Sequence, residues 1–177
     1  MAGLTAAAVA AVGFLAYRAQ ASVPESLGGR PGPRATPAAS ATKAPRDKKN
    51  PAALPQGSGT GERVVYSVDD DRVWLVGAGS RVENTFKVTP GSVDPLPGTY
   101  AVTSRSNAVT GTDGTPIEHV VRFTSVSGVV IGFSAAVDGS TPTPAPTVKT
   151  GGIRESRADG EAMWMFATIG QKVVVIR

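Results

Sequence analysis

A two-residue alternation of apolar and polar positions runs through residues 62–177 and is absent upstream. Arg63-Val64-Val65-Tyr66-Ser67-Val68 is β-branched and aromatic, and it predicts a strand. Asp69-Asp70-Asp71 turns the chain, and Arg72-Val73-Trp74-Leu75-Val76 predicts the second strand of a hairpin that ends at Gly77-Ala78-Gly79-Ser80. Over 81–88, Val82, Asn84, Phe86 and Val88 share one face, with Phe86 and the valines turned inward. Strands are also expected over 98–103 and 118–123, and 126–133 is apolar enough for one buried strand. Residues 172–176 form a closing strand. The one segment with helical spacing is 157–168, where Ala158, Ala162, Met165 and Phe166 recur on one side. Ser156 stands at its N-cap with Asp159 at the third position, a variant capping box. The pattern therefore predicts a mainly β domain with one short helix near its C-terminus.

Upstream the pattern changes twice. Residues 22–61 hold seven prolines, no aromatic residue, and only Val23, Leu27 and Leu54 as larger apolar side chains. Such a segment buries too little surface to offset its ordering entropy, so a disordered, Pro-rich linker is expected. Residues 1–21 open on an apolar run that carries no charge before Arg18 and ends in Ala19-Gln20-Ala21, a small-x-small pattern. Sixteen residues of helix reach roughly 24 Å, short of a ~30 Å hydrocarbon core. A signal peptide or membrane anchor is expected there, although no Lys or Arg precedes the apolar run.

Charge follows the same division. The net charge of +4 belongs to the linker, whereas the eleven basic and twelve acidic residues of 62–177 leave that region at −1. A nucleic-acid partner, which calls for a basic face on the domain itself, is not expected. The chain has no cysteine and a single histidine, His119. Disulfides, thiolate metal sites, a cysteine nucleophile and multi-His metal centres are thereby excluded from this sequence, and no cofactor or metal is expected. The triple aspartate lacks the spacing, glycine and terminal glutamate of an EF-hand, and reads as a solvated turn. Pro142-Thr143-Pro144-Ala145-Pro146 reads as a stiff loop.

In order and spacing, these pieces resemble the L,D-transpeptidase (YkuD-type) catalytic domain over nearly all of 62–177. The first hairpin, Phe86-Lys87-Val88-Thr89-Pro90-Gly91, Asp94-Pro95-Leu96-Pro97-Gly98-Thr99-Tyr100, Val120-Val121-Arg122-Phe123-Thr124, and the closing Ala162-Met163-Trp164-Met165-Phe166-Ala167 with Gly170-x-x-Val173-Val174-Val175 carry the likeness. It implies an L,D-transpeptidase-like β-sandwich in an exported protein acting on peptidoglycan stems. Such enzymes use a cysteine thiolate as nucleophile, a histidine to activate it and nearby donors for the oxyanion. Their signature is His, fourteen to seventeen residues, then Ser/Thr-His-Gly-Cys, an apolar residue and often Arg or Asn.

Against that signature, Ser134 stands for the first histidine. Lys149, Thr150 and Gly152 stand for the Ser/Thr, the second histidine and the cysteine. Gly151, Ile153 and Arg154 match the family pattern, and His119 lies outside both motif positions. The favoured expectation is an exported, extracytoplasmic, catalytically degenerate domain with no catalytic residue. It would bind peptidoglycan or an envelope protein through a remnant cleft of Ser134, Lys149, Thr150, Gly151, Gly152 and Arg154, with the membrane touched only through the N-terminal segment. One alternative is an active transpeptidase or peptidase using Ser134 or Thr150, with Lys149 as neutral base; another is a purely structural envelope domain. As a simpler reading, Thr150-Gly151-Gly152 is a polar turn.

Overall fold

The computed structural model describes Asp47 and residues 49–177. The expected segment 1–21 and most of the expected linker lie outside the described residues. The nine strands described are β1 (Arg63–Ser67), β2 (Arg72–Val76), β3 (Val82–Lys87), β4 (Gly98–Ala101), β5 (Ser104–Thr110), β6 (Pro116–Val126), β7 (Val129–Ala136), β8 (Gly151–Glu155) and β9 (Lys172–Ile176). Helix α1 (Arg157–Phe166) joins β8 to β9. The strands make two sheets, ordered β3-β2-β1-β9-β4 and β5-β6-β7-β8. The mainly β architecture with a short helix near the C-terminus is as expected.

The first hairpin forms where the alternation put it, with Arg63 opposite Val76 and Ser67 opposite Arg72. The inward residues of the two sheets meet in one core. Val64, Tyr66, Val73, Leu75, Phe86, Val173 and Val175 come from the first sheet, and Val121, Phe123, Ile131, Phe133 and Ile153 from the second. Phe133 stacks on Phe123 at 5.2 Å and meets the edge of Tyr66 at 5.9 Å, so aromatic contacts tie the layers together.

Several expectations are corrected. The apolar run 126–133 is not one strand. β6 ends at Val126, Ser127 (φ 49°) and Gly128 (φ 81°) turn the chain, and β7 begins at Val129. Two consecutive positive φ angles are what a tight two-residue hairpin loop requires. Residues 151–155, read partly as a polar turn, form β8, parallel to β7. Val82 is exposed although its alternation pointed it inward. Helix α1 is two residues shorter than expected; of the face read from its spacing, Ala162 and Phe166 pack on the core, while Ala158 and Met165 are exposed. Gly160 and Met163 are buried, whereas Met165 is exposed. The reason is close approach: a Cβ on Gly160 would lie 2.8 Å from the Cβ of Ala135, so the glycine lets the helix sit directly on β7. The cap is as expected, since the Ser156 hydroxyl accepts from the Asp159 amide at 3.2 Å.

Residues 50–61, expected to close the linker, lie against the outer face of the first sheet. Leu54 packs on Val65, Trp74, Val76, Val174 and Ile176. The Trp74 indole N–H donates to the Ala52 carbonyl at 2.8 Å, and buried Arg63 donates to the carbonyls of Ser58 and Gly61. These twelve residues act as a strap over an apolar face that composition alone did not assign to them.

Glu155 ends β8 with its carboxylate fully buried beside the first turn of α1, and neither oxygen has a hydrogen-bond partner. Burial, and then the nearby Asp159 charge, push its carboxyl well above the ordinary value of 4.5. A raised acid leaves its stability intact below the unfolded value and loses it as pH rises toward the folded one. Thermal denaturation should therefore show the protein weakening as pH rises above about 4.5. Glu155→Met should remove that slope and add about 1–3 kcal/mol at pH 8, the usual cost of a buried unpaired polar group. An unchanged slope in the variant would contradict this assignment.

Candidate functional site

The site is built on the parallel pair β7 and β8. Their register sets Gly132 beside Gly152 and Ser134 beside Arg154. Alternation then divides β8 between its two faces. Gly151 and Ile153 turn to the core, and Gly152 and Arg154 to the opposite face. A Cβ on Gly151 would fall 2.4 Å from both Ile131 Cδ1 and the Val130 carbonyl, so only glycine lets β8 lie this close to β7. The free edge of β8 is bracketed by residues 89–93. Thr89 and Arg154 exchange backbone hydrogen bonds at 2.8 and 2.7 Å, and the Val93 amide donates to the Thr150 carbonyl at 3.0 Å.

Ser134, Thr150, Gly152 and Arg154 converge on one cavity of about 110 Å³. A Cβ on Gly152 would point into open space, with Thr150 Oγ1 at 3.4 Å as its one neighbour within 4 Å. Two of the expected cleft residues do not line the cavity. Gly151 lies beneath it in the strand, and Lys149 is exposed at the surface. The Ser134–Lys149 pair is therefore not brought together. The Pro142–Pro146 loop does not fill the cavity either. It is tied outside it, where Thr89 Oγ1 donates to the Thr141 carbonyl at 3.1 Å and Ser92 Oγ to the Val148 carbonyl at 2.6 Å.

Sequence reasoning missed the β5–β6 turn, residues 111–115, which forms one wall of the site. Asp113 Oδ2 accepts from Arg154 Nη2 at 3.0 Å, and Thr112 Oγ1 donates to Thr150 Oγ1 at 2.9 Å. Arg154 is 7% exposed, and its Nη1 donates to Ser134 Oγ at 3.2 Å. Partial burial works against the Asp113 charge, but the Thr115 amide and then Arg154 outweigh it and hold its carboxyl below the usual carboxylate value. The lining also includes Val109 and Val130, both exposed. A wider depression of about 480 Å³ adjoins the cavity across Arg122 and Val130. No signal in the one-dimensional pattern marks Thr112 or Asp113, because their role comes from a hairpin folding back over a strand some forty residues away.

This arrangement sets donors around a single carboxylate, since Asp113 lines the cavity and is engaged by Arg154. Arg154 donates to Ser134 and cannot accept a proton. Thr150 Oγ1 accepts from Thr112 and from the Gly152 amide at 3.2 Å. The lone imidazole is elsewhere: His119 sits in the β6 bulge with φ 54°, and its ring lies 5.6 Å from that of Trp164. The small cavity is lined by two guanidiniums, Arg122 and Arg154, the Asp113 carboxylate, and the hydroxyls of Thr110, Thr112, Ser134 and Thr150. Among the described residues, no cluster of three or more His, Cys, Asp or Glu side chains is arranged to hold a metal ion.

Comparison with solved structures returns chains of similar fold. An L,D-transpeptidase from Stackebrandtia nassauensis superposes with a TM-score of 0.53 at 13% identity, covering 76% of this chain and 59% of that one. An L,D-transpeptidase from Mycobacterium smegmatis gives 0.51 at 18% identity over 67% of this chain and 60% of its own. A fused Zn-dependent amidase/peptidase/peptidoglycan-binding domain-containing protein from Clostridium acetobutylicum gives 0.53 at 15%, covering 66% and 52%. The fold is thus L,D-transpeptidase-like. The chain spans between 52% and 60% of the length of these three proteins. No protein-family model matches the chain, and no curated protein does.

Proposed function

We propose that this protein is an exported, non-catalytic L,D-transpeptidase-like domain that binds peptidoglycan stem peptides, or an envelope protein presenting similar chemistry, through the β7–β8 cleft. The observation that carries the reading is Gly152. It stands where the resembling enzymes place their nucleophile, faces the cavity and has no side chain to attack with. Arg154 supplies the positive group suited to a ligand carboxylate, Ser134 and Thr150 the hydroxyls beside it, and Val109 and Val130 an apolar rim. The extracytoplasmic location is supported by the apolar N-terminal run and by the peptidoglycan-binding domain named for one protein that shares the fold.

Two measurements test the reading. Intact-mass spectrometry after incubation with a carbapenem should leave the chain at its own mass; a stoichiometric adduct would show that a hydroxyl of this cleft is a working nucleophile. The protein should sediment with purified cell-wall sacculi. Val130→Glu, which changes an exposed rim residue, should cut the pelleted fraction at least about fivefold, toward that of a peptide of residues 1–61. Equal pelleting by that peptide and by the whole chain would assign any binding to the basic tail and leave the domain a structural role.

A further inference from the structure

Of the two guanidiniums that line the cleft, Arg122 and Arg154, the one on β8 is already engaged, and by a carboxylate of the same chain. Arg154 is 93% withdrawn from solvent, and its Nη2 is 3.0 Å from Asp113 Oδ2. Asp113 is presented by a tight turn. The Gly111 amide donates to the Thr115 carbonyl at 2.8 Å, the Gly114 amide to the Gly111 carbonyl at 3.0 Å, and the Thr115 amide to Asp113 Oδ1 at 3.1 Å. The Asp113 carboxylate therefore arrives preformed, with one oxygen fixed by its own turn and the other on Arg154. Thr112 adds a second contact across the same gap, to Thr150 at 2.9 Å. The turn is otherwise exposed, and β5 behind it has an exposed outer stretch from Asn107 to Thr110. Little buried apolar surface holds it down, so the two polar contacts set its closed position.

We infer that residues 111–115 are a self-liganding latch: Asp113 occupies Arg154 as a carboxylate stand-in, and a ligand carboxylate enters the cleft by exchanging with it. The inference rests on the proposed binding role of the cleft for its biological meaning, but not for its physical content. Exchange conserves charge at Arg154, since one carboxylate replaces another and the buried guanidinium is never left unpaired. A neutral ligand gains nothing from the swap, so the latch selects for carboxylate-bearing ligands.

The absence of cysteine from the chain makes a ligand-free test direct. Gly152→Cys in the full chain places a single thiol in open space facing the cavity. Its alkylation by iodoacetamide is followed by intact mass, with and without Asp113→Asn. Breaking the latch should speed alkylation about tenfold, the order expected for losing one charge-assisted contact on a partly exposed turn. Thr112→Val should give a smaller increase in the same direction. A second thiol at fully buried Ala135, placed by Ala135→Cys in a separate chain, should stay protected when Asp113→Asn is added. Alkylation at position 152 unchanged by either substitution would overturn the latch. Equal acceleration at 152 and 135 would overturn it too, because the change would then be a general loosening of the domain. Neither outcome depends on sacculus binding, so failure of the latch and failure of the binding role are separately visible.

Discussion

A Ser134→His, Thr150→His, Gly152→Cys variant should be acylated by a carbapenem to one adduct per chain, while the unmodified chain stays at its own mass. The geometry favours this result at its most demanding point. A Cβ at Gly152 meets Thr150 Oγ1 at 3.4 Å and otherwise open space, so the thiol needs no rearrangement of β8. Ser134 and Thr150 both line the same cavity, so imidazoles at these positions start on the correct side of the sheet. The thiol alone reacts through its small thiolate fraction near neutral pH. A positioned imidazole base typically adds 10²–10⁴-fold, so the triple variant should react about that much faster than Gly152→Cys alone. A folded triple variant with a titratable thiol but no adduct would mean that the cleft shares the fold of the transpeptidases and not their reactive geometry.

The second large effect concerns stability. A chain shortened to begin at residue 62 should be less stable than one beginning at residue 49 by at least about 3 kcal/mol, or should aggregate. Three losses add up. Leu54 leaves its seat on the Trp74 cluster, worth about 1.5–3 kcal/mol for a fully buried leucine and less here because it is partly exposed. The Trp74 indole loses the Ala52 carbonyl. Arg63, whose guanidinium burial already drives below its ordinary basicity, loses the Ser58 and Gly61 carbonyls. Stranding a buried charged donor is the most expensive of the three. Urea unfolding of the two lengths measures the difference, and equal midpoints would show that the strap rests on the sheet without supporting it.

What could be read from the sequence, and what could not, follows from where each signal resides. The β1–β2 hairpin and the Ser156 cap were legible because their causes are local: β-branched alternation around a polar turn, and one hydroxyl ahead of a helix. β5 was not, because Ser-Arg-Ser-Asn-Ala-Val-Thr passes from half-buried to exposed with no alternation to detect. β8 was obscured by its Gly-Gly, a pair that usually marks a turn and here marks close packing against Ile131 and Val130. The helix face was legible in part, through Ala162 and Phe166, and the rest was hidden because Gly160, which has no side chain to mark a face, makes the close approach to Ala135. At the site, the family frame brought out Ser134, Thr150, Gly152 and Arg154, and the cavity unites them. Lys149 matched by position only, since two residues before the strand its side chain is exposed at the surface. Asp113 had no motif to betray it, and its partner lies 41 positions along the chain.

The parallel pairing of β1 with β9 bears on how this domain would carry load. Val64 lies beside Val173 and Ser67 beside Ile176, so the first and last strands run side by side in the same direction. A pull applied between residues 62 and 177 runs along these strands and strains their hydrogen bonds together, in shear. The antiparallel β4–β9 pair, Gly98 opposite Val175, flanks β9 on its other side and resists the same sliding. A domain tethered through its N-terminal side and drawn at its C-terminal end would therefore yield as a unit at high force, instead of unzipping one bond at a time.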